Sequence, residues 1–394
     1  MAENIVHLVL ARVAGAPEGV KGISLFICPK FLLNADGSPG ARNDVHCVSI
    51  EHKLGIKASP TAVLQYGDHG GAVGYLVGQE NRGLEYMFIM MNSARFGVGV
   101  QGLAVAERAY QKAVQYARDR VQSRPVDGSV KGAAAIIHHP DVRRMLMTMR
   151  AYAEGCRALA ITAASAYDAA HHHPDAETRV QNQAFYEFMV PLVKGYSTEM
   201  SLEVTSLAVQ VHGGMGFIEE TGIAQLYRDA KILTIYEGTT AIQANDLIGR
   251  KTSRDGGQTA KAIAGQIELT EADLAARNDP AAQSFAKRLK AAREAFLEVV
   301  DFVAGQTKAS PNAVFAGSVP YLMLAGNLMA GWQMGRALLA AEDAINEGEE
   351  VAFMQAKVAT ARFYAEHLLT RVPGLRDSIL EGGESACALP LDAF

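Results

Sequence analysis

Residues 101–121, Gln101-Gly-Leu-Ala-Val-Ala-Glu-Arg-Ala-Tyr-Gln-Lys-Ala-Val-Gln-Tyr-Ala-Arg-Asp-Arg-Val121, return an apolar side chain every three or four positions. Leu103, Ala106, Tyr110, Ala113, Ala117 and Val121 therefore share one face of a long helix. Working back from this stretch, the helical period begins near Gly83, and before it the period is two. Short β-rich runs at Ile5 to Val13, Ile23 to Ile27, His46 to Glu51, Thr61 to Tyr66 and Val73 to Val77 are separated by turn formers such as Asn34 to Pro39 and Asp68 to Gly71. Working forward, helices are predicted at about Pro140 to Ala170, Asp175 to Val211 and Glu237 to Leu247, with His171-His-His-Pro174 and Gly213-Gly-Met-Gly216 as breaks. Long helices joined by short connections suit an antiparallel bundle. Lys251 to Gly257 reads as a linker, and the helices after it, one carrying Phe285, Leu289, Phe296, Val300 and Val303 on a single face, read as a further unit. The expected fold is mainly α with a β-domain: 1–82 β, 83–252 a helical bundle, 253–394 a carboxyl-terminal helical domain.

The bulk properties narrow the function. The chain has 394 residues, 49% hydrophobic and 20% charged, with a net charge of -5. That composition belongs to folded globular proteins, and the charge gives no global attraction to nucleic acid or anionic lipid, so neither is an expected partner. The four cysteines are far apart in sequence without a C-x-x-C pair, and no signal peptide opens the chain, which reads as a reduced, cytoplasmic protein. The most apolar run, Val319 to Trp332, is interrupted by Asn327 and too short for a bilayer span, so it reads as a core helix in which Gly331 and Gly335 permit close packing.

The densest chemical signal is Tyr227-Arg-Asp-Ala-Lys-Ile-Leu-Thr-Ile-Tyr-Glu-Gly-Thr-Thr-Ala-Ile-Gln243. Alone, Glu237 reads first as an acidic residue in the first turn of a helix, where the macrodipole favours it. It reads also as a carboxylate beside a small glycine on an apolar segment, open to desolvation and hence to service as a general base. His171, His172 and His173 are sequential and lack helical i, i+4 partners, so they read as a surface loop, and no metal site is expected. His138 and His139, before Pro140, read as helix-start residues.

Ile235-Tyr-Glu-Gly-Thr239 followed by Ile242-Gln243 and preceded by Arg228-Asp-Ala-Lys231 resembles the signature of acyl-CoA dehydrogenases. In order along the chain, Lys53-Leu-Gly-Ile-Lys-Ala-Ser-Pro-Thr61, Asn92-Ser-Ala-Arg95, Tyr116-Ala-Arg-Asp-Arg120 and Gln210-Val-His-Gly-Gly-Met-Gly-Phe217 are similar to further motifs of that family. Ile136 to Leu146 and Asp246 to Lys251 resemble its longer branch, which includes 3-methylmercaptopropionyl-CoA dehydrogenases and carries an extra helical domain after the bundle.

The resemblance implies flavin adenine dinucleotide (FAD) as cofactor, an acyl-CoA thioester as substrate, a homodimer or dimer of dimers, and an electron-transfer flavoprotein as electron acceptor. It implies that Glu237 removes the α-proton while the β-carbon passes hydride to flavin N5, leaving a trans-2-enoyl thioester. The thioester oxygen would be polarised by the backbone N–H of the glutamate and a flavin hydroxyl, donors worth roughly 3 to 4 kcal/mol each. Carried over residue by residue, Arg120 would meet the flavin diphosphate across a subunit interface, with Gln210, Gly213 and Gly214 lining the same stretch and Thr239 touching flavin. Asn92, Arg95, Tyr236, Gly238 and Arg250 would lie on the substrate side, with Gly238 leaving room for flavin or substrate.

Two features depart from the family. Gln122-Ser123 stands where its Phe-Gly is usual, and an all-helical domain and the first half of the β-domain precede this point in family members. The β-domain is therefore expected to be partial, with Met1 internal to a longer chain. Two readings stay open: a dehydrogenase complete only in a longer protein or with a partner, and a catalytically silent helical assembly module. The chain as given is expected to hold FAD weakly.

Overall fold

In the computed structural model, which describes residues 3–394, the chain divides into two compact units, 1–94 and 95–394. Met1, on which the reading of an internal methionine rests, lies outside the described residues.

Among the described residues the first unit contains seven strands, all in antiparallel pairs. β1 (Val6–Ala11) runs beside β2 (Ser24–Pro29), which also pairs β7 (Tyr75–Val77). β5 (Val45–Ile50) and β6 (Ala62–Tyr66) form a separate hairpin. Five of these strands follow the period-two runs. The pair β3 (Phe31–Leu33) and β4 (Pro39–Arg42) does not, because each strand is too short to show alternation, and the segment read as a turn is the reversal between them.

The second unit is all helical. Helix α1 (Gly83–Asp119) begins in the first unit and continues into the second. It ends two residues earlier than its apolar face implies: Val121 is exposed and forms an isolated bridge with Ala135. Then come α2 (Pro140–His172), α3 (Ala176–Pro191), α4 (Ser197–His212), α5 (Ile223–Lys231) and α6 (Thr240–Asp246). The single helix expected over Asp175 to Val211 is two helices joined by a π-turn at Leu192–Tyr196, which follows Pro191, a residue that cannot donate the regular helix hydrogen bond. A second π-turn, Leu247–Ser253, follows α6.

Beyond it lie α7 (Gln258–Ala275), α8 (Pro280–Gln306), α9 (Pro311–Ala316), α10 (Ser318–Glu347), α11 (Val351–His367) and α12 (Val372–Glu381). All five apolar residues marking one face of α8 are fully buried. One continuous hydrophobic cluster runs from Ala106 on α1 to Ile379 on α12, so both helical sets share a core.

Helix α10 is the centre of that core. A Cβ on Gly331 would come within 2.5 Å of Leu369, and one on Gly335 within 3.1 Å of Phe285, so both glycines set how near the neighbouring side chains approach. The polar interruption at Asn327 is matched: its Nδ2 donates to the Leu368 carbonyl at 2.8 Å, and its Oδ1 accepts from the Tyr364 hydroxyl at 2.9 Å. No helix among the described residues is long and apolar enough to cross a membrane.

Candidate active site

Glu237 does not sit in the first turn of a helix. It occupies a turn between a 3-10 segment (Ile232–Thr234) and α6, with a left-handed backbone at φ 56°, and Gly238 follows at φ 88°. A non-glycine residue held there stores on the order of 1–3 kcal/mol, so the surroundings must impose it. The constraints are visible. Lys194 Nζ donates to the Gly238 carbonyl at 2.6 Å, and Gln243 Nε2 donates to the carbonyls of Glu237 and Gly238 at 3.3 and 3.4 Å. Thr240 Oγ1 donates to Glu199 at 2.5 Å, and the Tyr236 hydroxyl donates to Gln101 at 2.5 Å. Thr239 Oγ1 caps α6 by accepting from the Ile242 N–H at 3.4 Å. Gly238 has its own local reason for lacking a Cβ: besides its positive φ, the added carbon would stand 2.7 Å from Gln243 Nε2 and 3.2 Å from Ile242.

The electrostatics of this loop come from residues outside the motif. Lys194, on the π-turn Leu192–Tyr196, is fully buried, and burial first, then the neighbouring Arg95 charge, draws its ammonium pKa down to about 8 against the opposing pull of Glu199 and Glu237. Burial, with the nearby Glu237 charge, pushes the Tyr236 hydroxyl up. Arg95 is buried too. Glu237 Oε2, Gln243 Oε1 and Arg95 Nε are buried without a hydrogen-bond partner, and the Glu237 N–H has no acceptor among the described residues. Buried polar groups are nearly always paired, so orphans around one strained loop mark a place built to receive something. Sequence reasoning missed Lys194 and left Gln243 and Gln101 without roles. The available signal was a lone lysine in the apolar run Phe188-Met-Val-Pro-Leu-Val-Lys-Gly-Tyr196.

A second cluster forms where α1 ends. The rings of Tyr116 and His212 stack at 4.1 Å, which brings the Arg120 end of α1 beside the Gly213 loop. His212 is buried, and that burial lowers its pKa. Arg120 is exposed with no side-chain partner among the described residues, and Gln210 is exposed on the last turn of α4. Gly213 takes φ 59°, and a Cβ on Gly213 or Gly214 would meet nothing within 4 Å, so this backbone is open to a ligand. Glu199, beside the Glu237 loop, and His212 stand at opposite ends of α4, about 20 Å apart at 1.5 Å per residue. The structure thus brings Tyr236, Glu237, Gly238, Thr239 and Arg95 to one place, and Arg120, Gln210, Gly213 and Gly214 to another.

Neither of two further expected residues makes a hydrogen bond or ion pair to these clusters among the described residues. Asn92 belongs to the first unit, where its side chain is exposed, and Arg250 is exposed and paired with Asp246 at 3.1 Å. Lys53 to Thr61 form the loop of the β5–β6 hairpin, with Lys53 Nζ donating to the Ser59 carbonyl. His171 and His172 end α2, and His139 precedes it with a ring nitrogen 2.8 Å from the Gln122 carbonyl.

Comparison with known proteins bears on this geometry. The sequence profile described as "Acyl-CoA dehydrogenase, C-terminal domain" matches residues 81–251, and "Acetyl-CoA dehydrogenase C-terminal like" matches 260–390. The chain is 57% identical over 385 residues to 3-methylmercaptopropionyl-CoA dehydrogenase of Ruegeria pomeroyi, covering 98% of this chain and 65% of that protein. It is 41% identical over 402 residues to the broad-specificity linear acyl-CoA dehydrogenase FadE5 of Mycobacterium tuberculosis, covering 96% and 64%. It therefore spans a little under two thirds of the length of these relatives. The solved structure of an acyl-CoA dehydrogenase complexed with FAD from Bacillus anthracis shares the fold, with a TM-score of 0.74 at 22% identity over 96% of this chain and 61% of that one. Two profiles in succession over the helical unit, and high identity along nearly the whole sequence, lead to one conclusion: the chain belongs to the acyl-CoA dehydrogenase family.

Proposed function

We propose that this chain carries the base and the cofactor-diphosphate contacts of a flavin-dependent acyl-CoA dehydrogenase, converting an acyl-CoA to a trans-2-enoyl-CoA. The observation that carries the reading is Glu237 itself: a carboxylate with one buried oxygen, on a strained turn, where neither that oxygen nor the residue's own N–H has a hydrogen-bond partner among the described residues. Glu237 takes the α-proton, and its N–H donates to the thioester carbonyl as negative charge develops there. Lys194 and Gln243 hold that turn from behind, so donor and base keep their relative positions.

The residues fit FAD. The open backbone at Gly213 and Gly214, the exposed Arg120 guanidinium and Gln210 would hold its diphosphate, for which a forked cation is suited. When bound, FAD supplies the hydride acceptor. Thr239 would touch flavin while capping α6. Arg95, Tyr236 and Gly238 lie on the substrate side of the reading, and Asn92 and Arg250 keep their place in it on sequence resemblance alone. The separation of the two clusters along α4 supports a site shared between subunits, in a homodimer or dimer of dimers that passes electrons to an electron-transfer flavoprotein. Residues 83–252 act as the catalytic bundle and 253–394 as an added helical domain, a division supported by the two profile matches.

The test is anaerobic mixing of the flavin-loaded protein with a panel of acyl-CoA thioesters, 3-methylmercaptopropionyl-CoA among them. Bleaching of the flavin absorbance by at least one thioester, lost by about 10²-fold or more in Glu237→Gln, is expected. Bleaching at the wild-type rate in the variant removes Glu237 as the base, and a loaded protein inert to the whole panel favours the silent assembly module.

A further inference from the structure

We propose that Asp44, His46 and His69 form a binding site for a divalent transition-metal ion, of the class that takes zinc, cobalt or nickel, at the base of the β5–β6 hairpin. His46 Nε2 and His69 Nδ1 approach the same carboxylate oxygen, Asp44 Oδ1, at 3.3 and 3.2 Å. The three ligand atoms lie within 4.8 Å of one another, and the two imidazole rings stand 5.2 Å apart at 75°. Ligands bound at about 2.0–2.1 Å in a tetrahedral shell sit roughly 3.3 Å from each other, the spacing of both nitrogen–oxygen pairs here.

The hairpin itself arranges this convergence. Asp44 directly precedes β5, His46 is the second residue of that strand, and His69 follows β6. The Asp44 carbonyl accepts from the Gly67 N–H at 3.0 Å, closing the end of the ladder. The second carboxylate oxygen, Oδ2, accepts from the backbone N–H groups of His69 at 2.5 Å and Gly71 at 3.3 Å. The carboxylate is thus oriented by the backbone, as the outer partners of metal ligands usually are, and Oδ1 is left facing both rings.

If Asp44 served only to tie the loop, the two amides would already do so. Two imidazoles converging on one oxygen would each have to carry a proton on the facing nitrogen, whereas a cation accepts three lone pairs from neutral rings and a carboxylate. Two histidines and one carboxylate match the donor preference of these ions, and the exposed His69 ring leaves positions open to water or a small ligand.

Protein stripped with EDTA and titrated with Co2+ reads the site directly. One equivalent is expected to give ligand-field bands in the visible that one equivalent of Zn2+ removes. His46→Gln and His69→Gln, each at a solvent-exposed ring, should weaken Co2+ binding by at least about tenfold, and changing His171, His172 and His173 together to Ala should not. Absence of Co2+ bands overturns the proposal. So do bands that survive His69→Gln, or that vanish only when His171 to His173 are replaced.

Discussion

Lys194 and Glu237 make opposite demands on one short turn. Glu237 needs a left-handed backbone and a carboxylate kept clear of other donors, and Lys194 supplies the anchor by pinning the Gly238 carbonyl. Keeping that ammonium buried has a signature in pH. Its folded pKa, about 8, lies below the ordinary 10.5, so between those values the unfolded chain holds the proton that the folded chain has released. Stability contributed by this group therefore rises with pH across that window and is flat below it. Urea midpoints at pH 7.5 and 9.5 should show the wild type gaining on the order of 1–2 kcal/mol relative to Lys194→Met. An equal pH response in the two proteins would show that Lys194 is not held as a buried charge. The same variant leaves the Gly238 carbonyl with only the longer Gln243 contact, a cost of about 0.5–1.5 kcal/mol, and turnover by the Glu237 loop should fall further than global stability does.

Among elements, close packing at glycine separates helix positions that look alike in sequence. On α10, a Cβ added to Gly326 would stand 2.3 Å from Cγ of Tyr196 on the π-turn that carries Lys194, whereas Gly265 on α7 has nothing within 4 Å of the same atom. Gly326→Ala should destabilise by about 1–3 kcal/mol through overpacking. Gly265→Ala should stabilise by about 0.5–1 kcal/mol, because alanine restricts the unfolded chain and favours helix. Chemical denaturation of both variants checks the pair, and Gly326→Ala as stable as wild type would mean that α10 and the π-turn are not in this contact. The π-turn is also why the helical period misleads here: apolar spacing continues from α3 to α4 across Leu192–Tyr196, although the backbone hydrogen bonding changes there.

At the scale of the whole molecule, α4 acts as a spacer of about 20 Å between the Glu237 loop and the Arg120 cluster. A site assembled from one end of α4 on one subunit and the other end on its partner predicts complementation. In a two-fold dimer of Glu237→Gln and Arg120→Ala chains, one site inherits both intact residues and the other neither. Random mixing of equal amounts then restores about a quarter of the wild-type activity, while each variant alone stays near zero. No recovery on mixing would place both clusters at one flavin within a single subunit.

Much of the architecture is legible in the sequence. Apolar period, turn formers and helix breaks are local properties, so the change from strands to helices near Gly83, the buried face of α8 and the core character of α10 follow from side chains a few residues apart. The motif around Glu237 likewise indicated the family from contiguous residues, and the Tyr116 to Arg120 and Gln210 to Phe217 segments could be picked out in the same way. What the tertiary structure decided depends on residues distant in the chain. The conformation of Glu237 is imposed by Lys194 and Gln243 rather than by its own propensity, and the grouping of Arg120 with Gly213 rests on the Tyr116–His212 stack. Asp44 and His69 meet only because a hairpin closes between them. Side-chain burial and long-range pairing set charge, strain and convergence, and neither can be read from spacing along one segment.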